Sequence, residues 1–334
     1  MASQTEALSG QIRWRVVGIQ GWFDDSPRPV ALPPRTLPEG LTASRFARRL
    51  EAHMTAHTPG PLRQRVFLAD PADGALPAAT TARQSLAARG LLHAMDAHLG
   101  SSQRFAVNLF APLSPGALAA LVGEVFGLPA KTLDPVVFEF ADPRDRLAER
   151  TPGSPYQTTV DVLLAGSIDG GRRVLALVEV KLSESDFGCC SGYQNPRNAT
   201  RETCLGGGPF GGDPASCFQL GHRDQATVRA YDRHLGTVRS LPGHAGCLFR
   251  LGLNQPLRNL ALARALLADG EADQVAYVLC AHDHNPAIWR RWADTVQVFG
   301  ADAAVTLASV PASRVVRLHQ HQAAAWLRRT YALP

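Results

Sequence analysis

The sequence predicts an α/β fold in which a short mixed β-sheet is flanked by helices. Two apolar runs, at 157–165 and 173–182, have the length of strands. Asp169-Gly170 lies between them, and this pair is a strong signal for a β-hairpin. Apolar residues at helical spacing recur on both sides of the hairpin. Together these observations indicate a sheet covered by helices.

The composition is that of a folded domain. The chain has 334 residues, of which 45% are hydrophobic and 19% are charged, which excludes a disordered chain. This length allows one large domain or two smaller ones. The net charge of +5 permits a polyanionic partner without requiring one.

The region 1–80 is predicted to be an accessory region, and 81–334 the α/β domain. The accessory region should hold a short strand at 11–17, a proline-rich stretch and a helix at 43–57. The pattern then predicts a helix over 81–99 that stops at Gly100, a helix over 114–126 and a strand over 136–140. Ser114 and Pro115 fit the N-cap and first position of the second helix.

The hairpin is followed by a Gly- and Cys-rich insertion at about 183–222. Loops of that length in compact domains are usually functional or stapled by a metal. The remaining pattern predicts a strand at 275–280 and helices at 224–235, 257–267, 287–299 and 318–331.

The first residues contain no basic segment followed by an apolar core, so we expect no signal peptide. Nor does any run approach the roughly 20 apolar residues that a membrane helix needs. These observations predict a cytoplasmic protein. In that compartment cysteines are more often thiols or metal ligands than disulfides.

Lys181 is singled out by the scarcity of lysine. The chain has 32 arginines and only two lysines, Lys131 and Lys181. Because arginine serves elsewhere as the general cation, a remaining lysine is a candidate for a role that needs a compact ammonium group. On a strand, Glu179 and Lys181 would point to the same side.

Asp161 lies on the first hairpin strand, and Glu179 and Lys181 lie on the second. Two carboxylates can hold a hard divalent cation, Mg²⁺ or Mn²⁺, through oxygen. Such a cation activates water and stabilises charge on a phosphate, while the lysine can orient the water or offset developing charge. The pattern therefore favours hydrolysis of a phosphodiester. The structural alternative is a salt bridge between neighbouring strands.

This constellation resembles the core motif of the PD-(D/E)xK nuclease superfamily, which has the restriction-endonuclease-like fold. The motif is Asp161 followed by Glu179-Val180-Lys181, with Thr159-Val160 in place of the usual proline before the aspartate. The resemblance covers about 80–310 and extends to a bacterial branch of the superfamily. It implies a metal-dependent nuclease whose partner is nucleic acid, with DNA favoured over RNA, in defence or DNA repair.

The resemblance also implies further site residues. In the superfamily a helix after the ExK strand often supplies a polar side chain, a role that maps to Gln255 and Arg258. Gln219 and Arg223 are rivals for that role. An acidic residue upstream of the core maps to Glu139, whose alternative is an edge-strand carboxylate facing water; Glu124 is its rival.

The cysteines of the insertion could hold a second kind of metal. Four thiolates can bind zinc or an iron–sulfur cluster, and some members of the superfamily carry a cluster near the core. The spacing here contains no CxxC pair, so buried free cysteines are the alternative. The candidate ligands are Cys190, Cys204, Cys217 and either Cys247 or Cys189.

Two other functions fit the same residues. One is a catalytically inactive relative that binds nucleic acid with steep salt dependence but does not cut it. The other is a cytoplasmic interaction protein in which Glu179 and Lys181 form a structural pair. Removing Lys181 would then change stability and nothing else.

Overall fold

The computed structural model describes a large part of the chain. The described residues are 15–16, 43–58, 62–64, 67–127, 129–151, 157–198, 201–205, 217, 219–220, 229–235, 246–299 and 304–334.

Within these ranges the chain forms nine strands and ten α-helices. The strands are β1 (Arg15–Val16), β2 (Leu62–Gln64), β3 (Phe67–Leu68), β4 (Ala130–Leu133), β5 (Val137–Ala141), β6 (Thr159–Ile168), β7 (Arg173–Lys181), β8 (Gln274–Ala281) and β9 (Val305–Pro311). The helices are α1 (Ala43–His57), α2 (Pro77–Ala88), α3 (Ser102–Phe110), α4 (Pro115–Phe126), α5 (Ser191–Gln194), α6 (Tyr231–Leu235), α7 (Asn254–Ala268), α8 (Pro286–Phe299), α9 (Ala312–Val316) and α10 (His321–Tyr331).

Seven of the strands build one mixed sheet in the order β1-β9-β8-β7-β6-β4, with β5 also paired to β6. The antiparallel part consists of β4, β5, β6 and β7. From β7 onwards the pairing is parallel, through β8 and β9 to β1. The predicted mixed sheet with flanking helices is therefore confirmed.

A hydrophobic core lies on each face of the sheet. Successive residues of β7 point alternately into the two cores, with Ala176 and Val178 in one core and Leu175 and Leu177 in the other. The first core is covered by α1, α3, α4, α9 and α10, and the second by α7 and α8. Strands buried on both faces read as continuous apolar runs, as β7 and β8 do.

The helix predicted over 81–99 was wrong in both of its bounds. The helix observed is α2, and it ends at Ala88. Gly90 adopts a left-handed φ of 68°, and the Leu91 amide donates to the Leu86 carbonyl at 2.9 Å, which closes the helix in a Schellman-like end. Turns occupy most of the stretch up to Gly100. The stop signal was therefore Gly90.

Most other predicted elements match within a few residues, including the hairpin, α4, α7, β8 and α8. Ser114 does cap α4, because its Oγ accepts from the Ala117 amide at 3.2 Å. The helix predicted over 318–331 is shorter, beginning at α10, and a separate helix, α9, precedes it. The strands β2, β3, β4 and β9 and the helices α3, α5 and α9 were not predicted. Of the helix predicted at 224–235, residues 224–228 lie outside the described residues, and the described part holds the helix α6 from Tyr231 to Leu235.

The described part of the first 80 residues packs on the same sheet. Phe46, Leu50 and Met54 of α1 are buried in the core that α3 and α10 share. The strand β1 extends the sheet by pairing in parallel with β9. The boundary of the accessory region near residue 80 stays a prediction.

In the part of the chain described, no single helix has the length and apolar character to cross a membrane. The pair Ser102–Phe110 and Pro115–Phe126 reaches that length only when both are taken together, and it is bent by 110° at the break.

Candidate active site

The hairpin brings Asp161 and Glu179 together. The ladder between β6 and β7 pairs Val162 with Val178, so the next step places Asp161 beside Glu179. Asp161 Oδ2 accepts a hydrogen bond from the Val180 amide at 2.6 Å, which fixes the carboxylate against the ExK strand. The hairpin thus sets two carboxylates side by side at the carboxyl end of β7.

Glu139 adds a third carboxylate from the next strand. The β5–β6 ladder skips Glu139, but the residues on both sides of it pair with those on both sides of Asp161. Glu139 has a left-handed φ of 50°, an uncommon conformation for a residue other than glycine. Such strain clusters at functional sites. Glu139, Asp161 and Glu179 therefore form a row across three adjacent strands.

Glu139 is buried, so the alternative of an edge-strand carboxylate facing water was wrong. Its Oε1 accepts a hydrogen bond from Gln103 Nε2 at 2.8 Å, and its Oε2 lies 3.6 Å from His93 Nε2. The hydrogen bond with Glu139 raises the pKa of His93. The rival residue Glu124 instead forms an ion pair with Arg314.

Lys181 and Glu179 form a buried ion pair. Lys181 Nζ lies 2.6 Å from Glu179 Oε1, and the two side chains are 6% and 1% exposed. Burial by itself lowers the pKa of Lys181, but Glu179, Glu184 and Asp161 outweigh this effect and raise it above its ordinary value. Lys181 is therefore an ammonium group at neutral pH, and it can stabilise negative charge but cannot accept a proton.

Asp161 is half-buried. Burial raises its pKa well above the usual range, and the charges of Glu179 and Glu139 raise it further. Lys181 and the Val180 amide act in the opposite direction. A cation bound between these carboxylates would offset their mutual repulsion.

Asn259 orients Glu179 from the helix that covers the site. It lies on α7, is 1% exposed, and its Nδ2 donates to Glu179 Oε2 at 2.8 Å. Glu179 Oε1 is buried and, among the described residues, accepts no hydrogen bond of regular geometry beyond its contact with Lys181. Asn259 thus holds Oε2 and Lys181 contacts Oε1, so a further ligand of Oε1 would share this oxygen with the ammonium group.

Gln103, His93 and Asn259 were not predicted as site residues. Gln103 lies in the first turn of α3, two residues after its N-cap Ser101. Asn259 lies within an apolar helical run, where a buried polar residue needs a partner. That rule could have indicated Asn259, but it could not have named Glu179 as the partner.

Gln255 and Arg258 lie in the first turns of α7 and border the same cleft as Lys181. Arg258 forms an ion pair with Glu149, with Nη2 3.3 Å from Oε1. Of the rivals, Gln219 accepts a hydrogen bond from Arg229 through its backbone carbonyl. Arg223 lies outside the described residues.

Cys204, Cys217 and Cys247 lie near one another. The Cys247 amide donates to the Cys204 carbonyl at 3.0 Å. Burial raises the pKa of Cys247 to about 12, and the nearby Cys217 and Cys204 add to this shift. All six cysteines are free. The zinc or iron–sulfur site on Cys190, Cys204, Cys217 and Cys247 stays a prediction.

Among the described residues, no group of three or more His, Cys, Asp or Glu side chains is placed to hold a metal ion by itself. A cation at Asp161 and Glu179 would therefore have two protein carboxylates and complete its shell with water and substrate. This is the mode of binding that Mg²⁺ commonly adopts at phosphate-processing sites. The donor set fits Mg²⁺ or Mn²⁺ in that mode.

The comparisons with known proteins agree with the fold. A family model described as "Restriction Endonuclease associating with ARP" (REase-ARP) matches residues 78–299, which is more than half of the chain. No curated protein and no solved structure matches. The matched segment contains Glu139, Asp161, Glu179 and Lys181. The chain therefore belongs to the REase-ARP family, which is restriction-endonuclease-like.

Proposed function

We propose that this protein is a metal-dependent nuclease of the PD-(D/E)xK kind, from the bacterial branch, that hydrolyses phosphodiester bonds of DNA in the cytoplasm. The observation that carries the proposal is the row of Glu139, Asp161 and Glu179 across three adjacent strands, with Lys181 beside it. Membership of a restriction endonuclease family supports the choice of nucleic acid as substrate.

Asp161 and Glu179 would hold Mg²⁺ or Mn²⁺. When bound, such a cation lowers the pKa of a coordinated water and offsets charge on the phosphate. The fit rests on the pairing of β6 with β7, which sets the two carboxylates side by side, and on the mutual repulsion that raises the pKa of Asp161.

Hydrolysis joins a water oxygen to phosphorus and breaks one phosphorus–oxygen ester bond. Lys181 keeps its proton, so its part is to orient the water or to stabilise the negative charge that builds on the phosphate oxygens. Gln103 and Asn259 hold Glu139 and Glu179 in place, which limits reorganisation during the reaction. Gln255 would be the polar side chain that, in the superfamily pattern, a helix after the ExK strand supplies to the site.

Cleavage by purified protein tests this proposal. Supercoiled and linear DNA are incubated with Mg²⁺ or Mn²⁺ and wild-type protein, Lys181→Met or Asp161→Asn. The matched control is Lys131→Met, because Lys131 is the other lysine and forms an exposed pair with Asp169 at the far end of the hairpin. We expect wild type and Lys131→Met to cut, and both site variants to lose at least 100-fold in rate, in line with the loss of an electrostatic catalytic group.

Two results would point elsewhere. The first is that the protein binds DNA but cuts neither DNA nor RNA with any of the metals. This would favour the inactive nucleic-acid-binding relative or a requirement for the ARP partner that the family description names. Neither binding nor cutting would favour an interaction protein with a structural Glu179–Lys181 pair. Metal analysis of the same preparation tests the cysteine site separately.

A further inference from the structure

A cleft of about 560 Å³ opens beside Lys181. It is lined by Lys181, by the loop 184–188 and by residues in the first turns of α7. Two cations, Lys181 and Arg258, line the cleft. Its two acidic residues are engaged by the loop: Glu184 Oε2 accepts from the Leu182 and Ser183 amides, and Asp186 Oδ1 accepts from the Gly188 amide.

Arg258 is held firmly along one edge of its guanidinium group. Its Nε donates to Thr158 Oγ1 and to Tyr231 Oη, both at 3.1 Å, and its Nη2 donates to Glu149 Oε1 at 3.3 Å. No described residue accepts a hydrogen bond from Nη1. The side chain is 24% exposed, so the opposite edge can reach the cleft.

Glu149 is the anchor of this arrangement. It is 4% exposed, and its Oε2 accepts from the Thr158 amide at 2.6 Å while its Oε1 accepts from Thr158 Oγ1 at 2.8 Å. Tyr231 also donates its hydroxyl to Glu149. Burial raises the pKa of Tyr231 to about 12, so the hydroxyl keeps the proton it donates. The network fixes the plane of the guanidinium before any ligand arrives.

We propose that Arg258 binds a backbone phosphate next to the one hydrolysed at Lys181, and that Glu149 and Tyr231 are positioning residues that aim it. The inference rests on the proposed function. It gives Arg258 a substrate-binding role, because Arg258 lines the same cleft as Lys181. A preorganised guanidinium edge matches the oxygens of a phosphate and loses little entropy on binding.

The test separates charge from orientation. Binding of a fluorescein-labelled DNA duplex is measured over a range of salt concentrations without divalent cations, for wild type, Arg258→Gln, Glu149→Gln and Tyr231→Phe. The control is Arg314→Gln, which removes an arginine from a comparable, partly exposed ion pair with Glu124 away from the cleft.

Arg258→Gln should bind about tenfold more weakly, as expected for a charge-assisted contact. The slope of log K against log salt should also fall by about 0.7 to 0.9, because one phosphate contact is lost. Glu149→Gln and Tyr231→Phe keep the arginine, so they should weaken binding several-fold and leave the slope unchanged. Arg314→Gln should match wild type. Thermal melts identify the variants that are folded. If Glu149→Gln does not fold, Tyr231→Phe alone tests the effect of losing the positioning contacts.

Equal affinity and slope for Arg258→Gln and Arg314→Gln would overturn the inference. Cleavage of the same duplex with Mg²⁺ distinguishes this failure from failure of the proposed function. If wild type cuts, Arg258→Gln should raise KM with kcat retained, whereas Lys181→Met should lower kcat. If wild type binds with a slope that depends on Arg258 but never cuts, the phosphate contact stands and hydrolysis by the chain on its own does not.

Discussion

Lys181 Nζ lies 2.6 Å from Glu179 Oε1, and both groups are almost fully buried at the end of the central strand β7. Burying an ion pair costs desolvation energy that the mutual attraction only partly repays. A pair in this position is therefore weak evidence for stability, and it lies beside two further carboxylates, Asp161 and Glu139.

The first prediction concerns the energy of this pair. Lys181→Met should lower the free energy of unfolding by about 3 to 5 kcal/mol, because it leaves Glu179 buried without its cation. The double variant Glu179→Gln/Lys181→Met should cost clearly less than the sum of the two single variants. Urea unfolding in the presence of a chelator measures all four proteins. Additive costs would show that the two side chains do not interact.

The second prediction concerns the close approach of β4 and β6. A methyl group added at Gly166 would overlap the carbonyl oxygen of Thr132, which belongs to the backbone and cannot move aside easily. Gly166→Ala should therefore destabilise the fold by about 1 to 3 kcal/mol.

Gly116→Ala is the matched control, since a methyl group there meets nothing within 4 Å and Gly116 lies in the first turn of α4. This change should be neutral or stabilising by up to about 1 kcal/mol. Thermal melts of the two variants compare the positions. Equal effects would argue against the β4–β6 contact.

The third prediction concerns Asn108, which joins three distant segments. Its Oδ1 accepts from the Leu76 amide at 3.0 Å, and its Nδ2 donates to the Gly74 carbonyl at 3.0 Å and to Tyr331 Oη at 2.9 Å. The side chain is fully buried. Asn108→Ala should cost about 3 kcal/mol, because the abandoned backbone groups lose their only partner in the described residues.

Asn195→Ala provides the comparison, because Asn195 caps a surface turn through the Arg197 amide. We expect it to cost no more than about 1 kcal/mol. Chemical denaturation measures both variants. A small effect at Asn108 would mean that water replaces the lost contacts.

The fourth prediction concerns acid stability. His282 Nε2 donates to the Tyr331 carbonyl at 2.8 Å, and its Nδ1 accepts from the His284 amide at 3.1 Å, so the folded protein holds the neutral ring. Burial lowers the pKa of His282 from 6.5 to about 4. Between these values the unfolded chain binds a proton that the folded chain does not.

Stability should therefore fall as the pH is lowered from about 6.5 towards 4, by roughly 3 kcal/mol from this residue. His282→Gln should be less stable at neutral pH and should lose less on acidification. Urea titrations across this pH range compare the two proteins. Parallel curves for wild type and variant would show that His282 does not contribute.

The sequence alone determined the hairpin and its three charged residues. Strand alternation places Glu179 and Lys181 on one side, and an Asp-Gly turn sets the register that brings Asp161 beside them. These are local rules that act over about 20 residues, so a single sequence is enough to apply them. The cap at Ser114 and the bounds of α1 follow from the same kind of rule.

Only the tertiary structure decided what surrounds that hairpin. Asn259 reaches Glu179 across 80 residues of sequence, and Arg258 reaches Glu149 across 109. Such partners are chosen by how helices pack on the sheet, and packing leaves no short-range pattern in the chain. The sequence by itself therefore indicated Asp161, Glu179 and Lys181, which are linked by local strand pairing. The folded chain was needed to show that Glu139 lies beside Asp161 and that Arg258 lines the cleft, because these positions depend on packing between distant segments.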